Sequence, residues 1–281
     1  MISGSLLINK EKGLSSRQEV NNISRLLGEK KAGHIGTLDP FADGLLIVLL
    51  GRSTKISSFL EGMDKTYLAT LKLGIQTDTG DLTGKEISRR EIPALNKQII
   101  EEVFESFLGE QDQLPPMYSA LKINGKELYK YARQGQEIER NSRKITIYEL
   151  KLISIKDDEI TFLSKVSKGT YIRTLGEDIA VKLGTVGHLT SLTRLAVGPF
   201  SLENAKASKD VKIDDLIPVE KMLSFMKTYE VSGDLIKLAK NGMHFRLPIN
   251  YELVLLTVDK KAIAIYKREL NGVYSCVRGL L

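Results

Sequence analysis

Asp39 lies in the run GHIGTLDPFADG (residues 33–44), directly ahead of a proline and within a glycine-rich stretch that leads into the apolar run LLIVLL. An Asp-Pro step is commonly a turn, and an aspartate there is ordinarily structural. The setting points further. A carboxylate on a loop stiffened by Gly36 and Pro40, and abutting the core, is placed to act as a preorganised nucleophile or base. A second run, SKGTYIRT (167–174), sets Tyr171 and Arg173 two residues apart, on one face if the segment is extended. Arg173 can then form a bidentate pair with a carboxylate such as Asp39, keeping it ionised and oriented, or make an ordinary structural ion pair. In KTYLATLKLG (65–74), Tyr67 offers a ring for stacking and a phenol for hydrogen bonding, the plainer alternative being a core tyrosine. His34, set among glycines, suits neutral hydrogen bonding in a loop better than general base catalysis.

Other chemistries fail on their spacing. TGDLTGKE lacks both the glycine spacing and the Ser or Thr of a phosphate-binding P-loop, and neither GxGxxG nor GxSxG occurs. A retaining glycosidase needs two carboxylates about 5 Å apart, and no paired acidic motif stands out. One cysteine, Cys276, permits no intramolecular disulfide or thiolate cage, and His34, His188 and His244 are widely separated. Metal-free catalysis is therefore expected.

The chain has 281 residues, 42% hydrophobic and 27% charged, enough for about two domains with a substantial core and unlike a disordered chain. Its longest apolar run, Leu45 to Leu50, is far short of the ~20 residues of a membrane-spanning helix. No basic start followed by a sustained apolar stretch marks a signal peptide, so a cytoplasmic protein is expected. Net charge is +6, and it is concentrated. Residues 120–173 hold twelve Lys or Arg against seven Asp or Glu, with Tyr129, Tyr131, Tyr148 and Tyr171 interleaved and Tyr118 just ahead. Basic groups neutralise phosphates and aromatic faces stack on unpaired bases, which is what looped RNA requires; a solvated basic face with core tyrosines is the plain alternative.

The elements that must position these residues can be read from pattern. Overlapping capping boxes at Ser15, Ser16, Gln18 and Glu19 open a helix with an apolar stripe at Val20, Ile23, Leu26 and Leu27 that ends at Gly28. Residues 28–44 read as an ordered loop, LLIVLL as a buried strand, 51–62 as a short helix capped by Ser53 or Thr54, and 65–74 as an alternating strand. The run 76–85 reads as a polar turn. Asn96 caps a helix with apolar residues at helical spacing up to Leu108. Asn124-Gly125 signals a hairpin. Residues 144–155 and 159–166 read as strands joined at Asp157-Asp158, and Leu175–Leu183 as a helix opened by a Thr174/Glu177 capping box. A helix at 235–241 and three strands within 252–277 follow, with a domain boundary near residue 228. Strands mixed with separated helices, without strict βαβ alternation, indicate an α+β fold.

The runs GHIGTLDPFADGLLIVLLGRSTK, KTYLATLKLGIQTDTGDLTG, QLPPMYSALKINGKELYKYARQG, SKGTYIRTLGEDIA and GHLTSLTRLAVGPFSL, in this order, closely resemble the bacterial TruB family, the tRNA pseudouridine-55 synthases. The resemblance covers residues 4 to about 205. It implies a pseudouridine synthase fold, a mixed sheet with flanking helices, in a catalytic domain of residues 1–228. A small C-terminal PUA-like, β-rich RNA-binding domain would follow at 229–281. It implies isomerisation of the T-loop uridine at position 55 of tRNA, without metal or cofactor. The partner would be the tRNA T-stem-loop, the state monomeric, with neither membrane nor protein partner. The family's catalytic aspartate falls on Asp39, its stacking tyrosine on Tyr67 and its aspartate-pairing arginine on Arg173. Tyr171 and Leu192 match remaining pocket residues, and His34 a histidine that helps hold the rearranged T-loop. An ionised carboxylate can stabilise charge at C1′, attack it, or remove a sugar proton, and these routes stay open. Residues 113–135 would clamp the loop. Asp43, where relatives often carry a neutral residue, is expected to point away from the site. A tRNA-binding or folding module without catalysis is the competing reading, and it would not require Asp39 with Arg173.

Overall fold

A computed structural model describes residues 2–123 and 125–281, so Asn124 of the hairpin signal lies outside the described residues. The chain opens with β1 (Gly4–Lys10) and α1 (Ser16–Leu27). One capping box is formed, by Ser15 with Gln18, and Gly28 ends the helix at φ 71°. Ser16 is not a second cap: its hydroxyl faces Leu38. The stretch expected to be a loop contains a strand, β2 (Ala32–Ile35), because its backbone finds a partner in β3 (Asp43–Leu50). A 3₁₀ segment, Gly51–Ile56, precedes the short α2 (Ser57–Glu61). Neither Ser53 nor Thr54 caps it; the Thr54 hydroxyl donates back to the Gly51 carbonyl.

Next come β4 (Lys65–Leu73), β5 (Ile75–Thr77) and β6 (Glu86–Arg89). The last two form a hairpin around the polar run that sequence read only as a turn. Asn96 caps α3 (Lys97–Glu105), as its spacing predicts, and β7 (Gly109–Gln113) follows. A small hairpin of β8 (Lys122–Ile123) and β9 (Lys126–Glu127) leads to α4 (Leu128–Ala132). Then come β10 (Arg143–Lys156), β11 (Glu159–Val166), α5 (Ile172–Lys182), β12 (Gly187–Val197) and β13 (Phe200–Ser201). Helix α5 starts three residues before the predicted Leu175. Thr174 therefore lies inside it and no capping box forms; Tyr171 is the N-cap, without a side-chain bond. The C-terminal part holds α6 (Val219–Met222), β14 (Lys227–Glu230), α7 (Asp234–Lys240), β15 (Phe245–Arg246), β16 (Leu253–Val258), β17 (Lys261–Arg268) and β18 (Val273–Gly279).

The main sheet runs β1-β3-β12-β4-β11-β10-β7, with β2 added to β3 and β13 to β12. It is mixed: β3 and β12 pair in parallel, and the other ladders are antiparallel. Gly44 makes the parallel contact possible, since a Cβ there would sit 2.4 Å from the Arg194 carbonyl oxygen. Helices α1, α3 and α5 pack on one face through Val20, Ile23, Ile100, Phe104, Leu175 and Ile179. Leu46, Val48 and Leu50 of β3 join that core, while Leu45, Ile47 and Leu49 point to the other face. The period of two thus explains an uninterrupted apolar run buried on both sides. The second face is covered by Met222 and Leu223, by Leu280, and by Leu255 and Ile265 of the C-terminal sheet, whose order is β14-β16-β17-β18-β15.

Candidate active site

Asp39 sits in the connection between β2 and β3, which is held at several points. The Ser16 hydroxyl, at the first turn of α1, donates to the Leu38 carbonyl (3.0 Å) and accepts from the Leu38 amide (2.8 Å). The Gly13 amide donates to the Pro40 carbonyl at 2.7 Å, and Ala42 to the Asp39 carbonyl at 3.1 Å. Leu38, Phe41 and Ala42 are buried, so the carboxylate is mounted between core anchors.

Arg173, in the first turn of α5 and 3% exposed, meets Asp39 as an ion pair. The pair is not the bidentate fork that sequence suggested. Only Nε donates to Asp39 Oδ2, at 2.8 Å, while Nη1 donates to the Thr79 carbonyl (2.6 Å) and Nη2 to the Tyr118 carbonyl (2.7 Å). Asp81 stands 3.8 Å from Nη1. One planar guanidinium thereby ties four segments together around the carboxylate.

Tyr67 is on β4, paired with Ser164 of β11 on one side and Arg194 of β12 on the other. It belongs to the core and also lines the cavity. Tyr171 is fixed through Gln113, whose amide accepts from the Tyr171 amide (2.8 Å) and donates to its carbonyl (3.0 Å). The Arg143 guanidinium lies 4.6 Å from the Tyr171 ring centroid and bonds the Gly169 carbonyl. His34 faces the cavity from β2; burial, then Arg17 and Arg194, push its pKa down to about 4, leaving it neutral. Leu192 is buried on β12.

These six residues, Asp39, Tyr67, Arg173, His34, Tyr171 and Leu192, all line one cavity of about 630 Å³, within the size range of small-ligand sites. Asp43 does not line it: Oδ1 accepts from the Thr193 hydroxyl at 2.6 Å and Lys12 lies 3.8 Å from Oδ2. Sequence reading missed Lys65, Arg143, Lys144, Lys168 and Arg194, which with Arg173 set six basic side chains against the carboxylates of Asp39 and Glu61 on the cavity wall. The available signal was position: Lys65 is two residues before Tyr67, and Arg194 two after Leu192, on strands.

Residues 24–172 match the family described as TruB family pseudouridylate synthase, N-terminal domain. The chain is 50% identical over 221 residues to tRNA pseudouridine synthase B of Hydrogenovibrio crunogenus, spanning 76% of this chain and 73% of that one. It is 41% identical over 285 residues to the protein of the same name from Geobacillus thermodenitrificans, spanning 94% of each. The solved structure of a Cbf5-Nop10-Gar1 complex contains a similar chain, with a TM-score of 0.77 at 22% identity over 99% of this chain and 85% of that one. The shared fold is a mixed sheet with flanking helices, followed by a curled, PUA-like C-terminal sheet.

Proposed function

The chain belongs to the TruB family of pseudouridylate synthases, and from that premise we propose that it isomerises the uridine at position 55 in the T-loop of tRNA. The observation that carries this reading is the Asp39–Arg173 ion pair on the wall of a basic cavity that Tyr67, Tyr171, Leu192 and His34 also line. A purely RNA-binding module has no need of it. In the reaction the N1–C1′ bond breaks, the base turns, C5 bonds to C1′, and the C5 proton is lost as N1 gains one. The target base must first leave its stack, at a cost of a few kcal/mol. Tyr67 receives the uracil ring, Leu192 and Tyr171 bound the pocket, and neutral His34 hydrogen-bonds the loop. Asp39 acts at C1′, as nucleophile or as base toward a sugar proton, with Arg173 fixing the carboxylate. The hydroxyl of Tyr67 assists loss of the C5 proton.

We assign residues 1–228 to catalysis and 229–281 to auxiliary RNA binding; the separate C-terminal sheet supports a division near this point, although its first strand, Lys227–Glu230, begins two residues before it. The basic, tyrosine-bearing segment 113–135 serves as a clamp on the loop. We take the protein to act as a monomer in the cytoplasm; among the described residues no helix is long and apolar enough to cross a membrane. Release of tritium from tRNA labelled at uridine C5 tests the reading. Wild type should release it, while Asp39→Asn should release none and still bind tRNA. Tight binding by wild type with no release on any tRNA would establish the binding module instead.

A further inference from the structure

Lys65 and Arg194 are also on the cavity wall, 7% and 1% exposed, and among the described residues neither is in an ion pair. Buried charges are ordinarily paired, because removing an ion from water without compensation is costly. Here the contacts are to carbonyl oxygens only. Lys65 Nζ donates to Glu61 (2.7 Å) and Met63 (2.5 Å), Arg194 Nε to Leu45 (2.7 Å) and Nη2 to Gly36 (2.9 Å). One ammonium hydrogen and Nη1 are left over. Gly36 lies beside both side chains. A Cβ at Gly36 would lie 3.2 Å from Arg194 Nη1 and 3.7 Å from Lys65 Cε, so both basic side chains flank this backbone and any larger residue there would crowd them.

The seat is aligned with the chemistry. Lys65 shares a strand face with Tyr67, and Arg194 is directly across the ladder from Tyr67. Gly36 is three residues from Asp39, within about 11 Å along the chain. A nucleotide stacked on Tyr67 with C1′ toward Asp39 therefore carries its own backbone past these cations. We propose that Gly36, Lys65 and Arg194 form a phosphodiester seat that takes the backbone phosphate adjoining the inserted uridine. The proposal rests on the RNA-modifying reading above. Burial and Arg194 hold Lys65 down to about 8, a strain that an anion between the two cations relieves.

The test uses synthetic T-stem-loop hairpins carrying one neutral methylphosphonate, placed 5′ or 3′ of the target uridine or, as a control, in the stem. For wild type, one flanking substitution should lower kcat/KM by about ten-fold or more relative to the stem control. Lys65→Gln should show a comparable loss on the all-phosphate hairpin and little further loss on the substituted one, whereas Lys65→Arg should restore the discrimination. Equal treatment of flanking and stem substitutions by wild type overturns the seat. So does a Lys65→Gln defect of the same size on every hairpin with the flanking penalty intact, since that is what a lysine serving only to hold carbonyls would give. Were Lys65→Gln to fail to fold, the wild-type pH profile decides. Lys65 faces Arg194 and Lys168, with Asp64 and Glu61 nearby. The flanking penalty should shrink as pH rises past about 8 and this lysine loses its proton, and a constant penalty overturns the seat. Absence of any pseudouridine in the all-phosphate hairpin would reject the function itself; normal conversion with indifferent flanking substitutions rejects only the seat.

Discussion

Arg173 divides its fork among Asp39, Thr79 and Tyr118, and a point charge cannot reproduce that geometry. Arg173→Lys keeps the charge yet should lower single-turnover kcat by about 10²-fold or more, with the tRNA Kd little changed in filter binding, because the carboxylate is no longer held in place. His34 is neutral throughout the physiological range, its pKa pushed down to about 4. His34→Gln should accordingly change tRNA affinity by a factor that is constant between pH 6 and 8, which a pH series of binding curves checks. Asp39, Tyr67 and Arg173 were legible in the sequence through the ordered runs that resemble the TruB family, local pattern alone leaving a structural reading open for each. Gln113, Lys65 and Arg194 were not, since their positions follow from ladders between strands distant in sequence. The Thr79 and Tyr118 carbonyls that take Nη1 and Nη2 were equally hidden, and with those groups engaged the ion pair is single rather than forked.

Local grammar identified α1, α3, β4 and the β10–β11 pair, where caps and periodicity act within a few residues. It missed β2, the β5–β6 hairpin and β7, which exist through pairing and carry weak local signals. The Thr174/Glu177 pattern misled because a real helix had begun earlier, putting Glu177 inside it against Gly80. Burial, offset in part by a hydrogen bond from Gln76, raises that carboxyl to about 7. Raised above its unfolded value of 4.5, it contributes stability below pH 4.5 that is lost as pH climbs through 7. Glu177→Gln should thus stabilise the protein above pH 7 by about 2 kcal/mol, allowing for partial exposure, and by little at pH 4.5. Urea titrations at the two pH values measure it. Gly44→Ala should be worse than a loss of packing alone. The added Cβ would meet the Arg194 backbone at 2.4 Å, at φ 101°, so the β3–β12 join must open, and the thermal midpoint should fall by more than about 10 °C.

The two sheets share a core. Leu255, Ile265 and Leu280 pack in one cluster with Leu45, Ile47 and Leu49 of β3, so the C-terminal part buttresses the main sheet. Leu255→Ala should destabilise the whole molecule by about 2–5 kcal/mol, and hydrogen exchange should quicken in β3 together with β16. Opposite this face the basic cavity should make tRNA binding fall steeply with salt. The strand order has a temporal consequence. β4 is complete at Leu73, but its two neighbours are β11 and β12, which end at Val166 and Val197. At ribosomal speeds of 5–20 residues per second, its two edges wait roughly 5–25 s for partners. For most of that interval the nascent chain carries Asp39 and Tyr67 without Arg173, Leu192 or Arg194, and presents an unpaired alternating strand. An interrupted translation product should therefore lack the completed cavity and be open to proteases, with activity expected only once the last central strand is inserted.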